Sequence, residues 1–213
     1  MITKMIPASN KHFGEMKLPV VEEFFSLQGE GYHVGKPAYF IRLGGCDIGC
    51  SWCDSRYSWE QDDHLFMNVR DIVKKATNFS TDSVVVTGGE PLKWNLDYLC
   101  NELKKNNKKT FLETSGAYEI SGVWDWICLS PKKNMPPVKS VYELADELKV
   151  IVQDDSDFEW AEKNRRFVKP DCMLFLQPEW SNANIIIPEI VEYIKSNPVW
   201  RISLQAHKYM RIP

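Results

Sequence analysis

Apolar residues in this chain come in short runs, and most runs end in a polar or glycine-rich stretch. Pro19 to Ser26 and Ala38 to Leu43 are rich in large apolar residues over lengths too short for a helix, and they predict strands. Ser83 to Val86, Thr110 to Leu112, Trp124 to Leu129, Leu148 to Val152, Cys172 to Leu176 and Trp200 to Leu204 repeat the pattern. Between them the period lengthens. Val69, Ile72, Val73 and Ala76 follow helical spacing, with Asn68 placed to cap them. Leu96 to Lys105 and Asp155 to Arg165 also predict helices. Ser140-Val141-Tyr142-Glu143 matches a capping box that opens a short helix. Ile187, Ile190, Val191 and Ile194 form an apolar stripe, with Pro188 expected in the first turn.

Strands that alternate with helices predict a mostly parallel sheet. Some connections are too short for full helices, so the expected fold class is α/β, a partial (reduced) TIM-like barrel. The polar stretches fall where strands end, and ligand sites of parallel α/β folds gather at those ends. They are Leu27-Gln28-Gly29-Glu30-Gly31, Thr87-Gly88-Gly89-Glu90-Pro91, Glu113-Thr114-Ser115-Gly116, Ser130-Pro131-Lys132 and Gln177-Pro178-Glu179-Trp180. One site built from all of them is expected.

The 213 residues suit one domain, residues 1–213, with Met1 to Lys17 an N-terminal extension that is expected to be partly mobile. A formal net charge of −3 makes a nucleic-acid backbone a poor partner. No stretch approaches the length of a membrane span, and the N-terminal segment lacks the apolar core of a secretory signal, so no membrane association and a cytoplasmic location are expected. In that reducing compartment the six cysteines are expected to be ligands and core residues rather than disulfides. Cys100, Cys128 and Cys172 sit in apolar patterns and are expected in the core.

The other three change the picture. Cys46, Cys50 and Cys53 form C-x3-C-x2-C in one glycine-flanked loop. Three thiolates in one loop suit zinc or an iron–sulfur cluster, and they are one short of a closed set of four. An open metal corner is where a substrate or cofactor binds.

This spacing, with the aromatic Trp52 before the last cysteine, resembles the signature of the radical S-adenosylmethionine (SAM) enzymes. The resemblance implies a [4Fe–4S] cluster on Cys46, Cys50 and Cys53, with SAM on its fourth iron. It implies Trp52 and Asp54 beside SAM and Gly88, Gly89 and Glu90 at its amino group. Ser115, Ser130, Pro131, Lys132, Gln177, Pro178, Glu179 and Trp180 would supply further SAM contacts.

The 27–31 loop, Phe40-Ile41-Arg42, Cys53-Asp54-Ser55 and the final His207-Lys208…Pro213 together resemble the 7-carboxy-7-deazaguanine synthase family, over nearly all of the chain after residue 18. That resemblance implies a lyase of queuosine biosynthesis. The family converts 6-carboxy-5,6,7,8-tetrahydropterin to 7-carboxy-7-deazaguanine by hydrogen abstraction, ring contraction and loss of ammonia. It implies substrate contacts from Leu27, Gln28, Gly29, Glu30, Arg42, Thr87, His207 and the carboxylate of Pro213. Ser55 stands where the family commonly has threonine and would ligate Mg2+, since serine keeps the oxygen. A flavodoxin- or ferredoxin-like electron donor and a homodimer are also implied. The rival readings are a glycyl-radical activase and a zinc-binding interaction module. The activase has no need of the Gln28–Glu30 loop or the His207–Pro213 segment, and the zinc module predicts a colourless protein with zinc and no SAM affinity.

Overall fold

The computed structural model describes residues 16–60 and 64–213. The N-terminal extension and the polar connection at 61–64 fall largely outside the described residues. Strands β1 (Lys17–Leu27), β2 (Pro37–Leu43) and β3 (Leu65–Asn68) open the fold. Helix α1 (Val69–Thr77), β4 (Ser83–Gly88), α2 (Asp97–Lys105), β5 (Lys109–Thr114) and β6 (Trp126–Leu129) follow. Then come α3 (Lys139–Leu144), β7 (Glu147–Val152), α4 (Ser156–Arg165), β8 (Met173–Pro178), α5 (Ala183–Ser196), β9 (Trp200–Ile202) and α6 (Ala206–Met210).

Among the described residues the strands form one nine-stranded sheet in the order β3-β1-β2-β4-β5-β6-β7-β8-β9. β2 and β4 through β9 run parallel, while β1 pairs antiparallel with both β2 and β3. The order does not close on itself, so the sheet is an open, partial barrel.

Strand alternation divides the sheet into two faces. Ile41, Leu43, Val84, Val86, Leu112, Leu148, Val150 and Leu176 point to the helix side and join Ile72, Leu99, Leu103 and Ile190 in one apolar core. Their neighbours Phe40, Arg42, Val85, Thr87, Phe111, Glu113, Lys149 and Gln177 therefore fall on the opposite, concave face. A small apolar cluster of Ala38, Phe40, Val85 and Phe111 packs there. Cys100, Cys128 and Cys172 are all buried, as expected of small core residues.

Three local expectations are corrected. Ser140 does not cap α3: the helix starts at Lys139 after Val138, and the Ser140 hydroxyl donates to Glu119 instead. Pro188 lies inside α5, because that helix begins earlier, at Ala183. The buried stripe of α5 is accordingly Ala183, Ile186 and Ile190, with Val191 exposed. Asn68 does cap α1, accepting from the Arg70 N–H at 2.9 Å. β3 and α6 carry no periodic signal. One is a four-residue edge strand and the other a single turn of helix.

Leu148 is fully buried on β7, between β6 and β8. Leu148→Ala is expected to destabilise the fold by about 2–5 kcal/mol through lost burial and an unfilled cavity. The urea-unfolding midpoint measures it.

Candidate active site

The carboxyl ends of the parallel strands surround one cleft, which encloses about 1420 Å³ with its open mouth included. The cysteine loop leaves the end of β2 and forms one wall. Ile48 is buried and pins it. Backbone bonds from Gly45 N to Ser58 O (2.8 Å) and from Cys46 N to Trp59 O (2.9 Å) close the loop on itself. Asn134 Nδ2 donates to the Ile48 and Gly49 carbonyls. Cys46, Cys50 and Cys53 are half-buried, free, and all face the cleft. Burial pushes the Cys46 and Cys50 thiols up, and their mutual proximity with Cys53 adds to this. A bound cationic centre would reverse that tendency and hold them as thiolates. Trp59 Nε1 donates to Cys53 Sγ at 3.3 Å.

The Gly-Gly-Glu-Pro stretch leaves β4 and lies directly on the cysteine loop. Gly89 N donates to Leu43 O and Glu90 N to Gly45 O, each at 2.9 Å. A Cβ on Gly89 would meet Gly45 O at 2.6 Å, so only glycine allows this approach. The Glu90 carboxylate is buried and fully used. One oxygen accepts from Thr114 Oγ1 (2.6 Å) and Leu92 N (3.0 Å), and the other from Ser115 N (2.8 Å) and Ser115 Oγ (2.5 Å). Four bonds fill the lone pairs of a carboxylate. Glu90 thus acts as a clamp between the Gly-Gly-Glu-Pro stretch and the end of β5. Glu179 is similarly spent, capping the turn at 180–182 through Ser181 and Asn182.

The remaining expected residues converge on the same cleft. Trp52, Asp54, Ser55, Gly88, Ser130 and Lys132 line it on the cysteine side, and Gln177, Pro178 and Trp180 line it at the end of β8. Lys132 Nζ bonds both oxygens of Ser130 and sits 5.3 Å from the Trp52 ring centre. Leu27, Gln28, Gly29, Glu30, Arg42, Thr87, His207 and Pro213 line the other side. Pro131 is the exception: it is buried in its turn and does not face the cleft. His207 packs on Gly29, where a Cβ would collide with the imidazole. Burial lowers the His207 pKa. Arg42 Nε donates to Glu22 at 2.6 Å. Ser26 Oγ donates to the Pro213 carbonyl at 3.0 Å.

A charged floor joins these walls. Lys149 Nζ donates to Glu30 at 2.5 Å and to Glu113 at 3.0 Å. Gln28 Nε2 donates to Glu113 at 3.1 Å. Gln205 Nε2 bridges Glu30 (2.9 Å) and Asp54 (3.2 Å), and Lys208 pairs with Asp54 at 2.8 Å. Burial opposes ionisation of Glu30, but Lys149, Gln205 and Gln177 outweigh it and hold its carboxyl at about 2. Lys149, Gln205 and Trp59 carried no motif, and Glu113 entered only as the first residue of the Glu113-Thr114-Ser115-Gly116 stretch. Glu113 and Lys149 were nevertheless readable from strand parity: each shares the concave face with Arg42 and Thr87.

This fold and thiol-lined cleft define a radical SAM protein, and the Radical SAM superfamily profile matches residues 40–124. The 7-carboxy-7-deazaguanine synthase of Flavobacterium psychrophilum is 51% identical over 213 residues, 100% of both chains. That of a Synechocystis strain is 46% identical, covering 91% of this chain and 93% of the relative. The crystal structure of QueE from Escherichia coli superposes with a TM-score of 0.81 at 32% identity, over 92% of this chain and 96% of that one. This chain belongs to the 7-carboxy-7-deazaguanine synthase family.

Beneath the cleft floor, Glu147 is buried with Oε1 unpartnered, while its other oxygen accepts from Tyr32 N and Trp126 Nε1. Burial raises its carboxyl to about 7, with Lys149 opposing and Glu113 adding to the rise. The folded state therefore binds the extra proton between the unfolded carboxyl's pKa of 4.5 and about 7. Its contribution to stability is full below that window and is lost as pH rises through it. Glu147→Gln keeps a neutral group there. It is expected to be more stable than the wild type at pH 8 and close to it at pH 5, as read by urea unfolding at both pH values.

Proposed function

We infer that this chain is a radical SAM lyase that converts 6-carboxy-5,6,7,8-tetrahydropterin to 7-carboxy-7-deazaguanine with loss of ammonia, in queuosine biosynthesis. The observation that carries this reading is a single cleft with three free thiols on one wall and a pterin-sized set of polar groups on the other. The full-length likeness to named synthases supports it.

The residues fit the cofactors. Cys46, Cys50 and Cys53 supply the soft anionic ligands of a [4Fe–4S] cluster and leave one iron for SAM. When bound, cluster and SAM together supply a carbon radical that takes a hydrogen atom from the substrate. The protein's part is to bind, orient and shield. Trp59 Nε1 donates to Cys53 Sγ and orients that ligand. Carbonyls of the Gly88-Gly89 loop receive the SAM ammonium, with Glu90 holding the loop in place. Ser115, Ser130, Lys132 and Gln177 meet its carboxylate and ribose, and Trp52, Asp54, Pro178 and Trp180 border it. Glu179 acts indirectly, through the turn it caps.

On the other wall, Arg42 has two terminal nitrogens without a hydrogen bond among the described residues, and they suit the planar fork of a carboxylate. Glu30 is ionised at every working pH and accepts from the N–H groups of the pyrimidine edge. Gln28, Thr87, His207 and Pro213 complete the ring, with Leu27 and Gly29 beneath the ligand. Mg2+ is proposed at Ser55, whose Oγ lies 3.7 Å from Cys53 Sγ. Among the described residues no three His, Cys, Asp or Glu side chains are set to hold one ion, so water and the substrate carboxylate would provide its other ligands. An external flavodoxin- or ferredoxin-like donor supplies the electron, and the working form is a homodimer.

Anaerobic incubation of the reconstituted protein with SAM, a reductant, Mg2+ and the carboxytetrahydropterin is expected to give the deazapurine, detected by mass spectrometry. Cleavage of SAM with the pterin returned intact would overturn the substrate. Cys50→Ala is expected to abolish both the iron–sulfur absorption and turnover. Arg42→Ala is expected to weaken pterin binding roughly ten- to a hundredfold, the value of charge-assisted hydrogen bonds. SAM affinity should be unchanged, as measured by titration calorimetry.

A further inference from the structure

No family motif includes Lys149, yet it is among the most constrained side chains of the cleft. It is 4% exposed, enters from the middle of β7, and divides its hydrogen bonds between two carboxylates that are far apart in the sequence. Glu30 lies on the loop after β1 and Glu113 on β5. Each carboxylate is also tied to an amide: Glu30 to Gln205 at 2.9 Å and Glu113 to Gln28 at 3.1 Å. The Gln28 side chain returns to the Glu30 N–H through its own oxygen at 3.2 Å. The result is a closed circuit, Lys149–Glu30–Gln28–Glu113–Lys149, in which every donor faces an acceptor.

We propose that Lys149 is a positioning residue of the substrate site, holding Glu30 and Glu113 apart at a fixed spacing so that Glu30 and Gln28 present one set pattern of acceptors and donors to the pterin. The inference rests on the reading of Glu30 and Gln28 as substrate contacts. Its physical basis is the cost of the alternative. Two half-buried carboxylates held against one buried ammonium are compatible at that spacing only while the ammonium is there. Without it they repel, one takes up a proton, and a protonated Glu30 offers a donor where the pterin edge also offers donors. The charged and titratable groups facing Lys149 are Glu30, Glu113, Glu147, Cys128, Lys132 and His207. Only the first two hydrogen-bond to it.

The test measures equilibrium binding of the carboxytetrahydropterin to the reconstituted holoprotein with SAM, without reductant, so that no turnover occurs. Lys149→Met keeps the length of the side chain and removes the charge. It is expected to weaken pterin binding by about tenfold or more at pH 7. The loss should shrink as pH rises to 9, because the carboxyl that took up the proton ionises again, whereas wild-type binding stays flat. Lys149→Arg is expected to recover most of the affinity, and iron content and SAM affinity should match the wild type in both variants. Wild-type pterin affinity in Lys149→Met would overturn the proposal, as would an equal loss at every pH or a joint loss of iron, SAM and pterin binding.

If Lys149→Met does not fold, Glu113→Gln decides, because it keeps the cation but puts a donor against Lys149 or Gln28. Several-fold weaker pterin binding is expected, and unchanged binding overturns the proposal. Glu30→Gln separates the two readings. Unchanged pterin binding in that variant removes Glu30 from the substrate site and this inference with it. Weak binding there alongside wild-type binding in Lys149→Met removes Lys149 alone.

Discussion

The site depends on one buried carboxylate. Glu90 accepts four hydrogen bonds, two of them from the first residue beyond β5 and one from the last residue of that strand. Its own N–H reaches back to Gly45 at the end of β2. Three strand ends are therefore joined through one side chain. A parallel sheet aligns its strands but leaves the loops beyond them free, and loops are the least ordered parts of a fold. Here the loops that would hold a cluster and its cofactor are clamped to one another before any ligand arrives. Preorganisation of this kind reduces the ordering that a ligand must supply on binding.

The concave face shows a second constraint. Barrel interiors are commonly filled with branched apolar side chains. This one is packed with apolar side chains at its lower layer, where Phe40, Val85 and Phe111 meet. One step along each strand the same face becomes Arg42, Thr87, Glu113 and Lys149. The strands thus separate stability from chemistry by depth. The boundary is not free of cost: Glu147 lies at it with one oxygen unpaired, in an environment that favours its neutral form.

Strand positions and the core followed closely from the pattern of apolar runs, because parallel strands covered by helices are apolar along their length. The cysteine loop, the Gly-Gly-Glu-Pro stretch and Arg42 were legible because they join a motif to a strand end. Lys149 was legible only through strand parity, since a lysine inside an apolar run reads locally as a break in a pattern, and Glu113 was marked by its strand-end stretch but not by its partner. Their meaning comes from register, with Glu113 beside Cys128 and Lys149 beside Phe175 on paired strands. Gln205 was hidden for a different reason. Its partners Glu30 and Asp54 are 175 and 151 residues away in sequence, and no local pattern encodes such contacts. The capping box at Ser140 misled because Glu119, a partner distant in sequence, competes for the same hydroxyl.

An open sheet has two edges, and each exposes backbone groups that another chain's strand could pair with. Here the edge strands are β3, with four residues, and β9, with three. Beyond Ile202 the chain turns inward, and Ser203 N bonds to Leu176 O before the chain passes to Gln205. On the β9 flank a stray strand meets only three rungs, whereas on the other flank β3 covers only Lys17–Val20 of β1 and leaves the remainder of that strand, to Leu27, without a strand neighbour among the described residues. The β9 flank thus presents little to template fibrous self-association, and a strand added from another chain would meet its longest bare edge on β1.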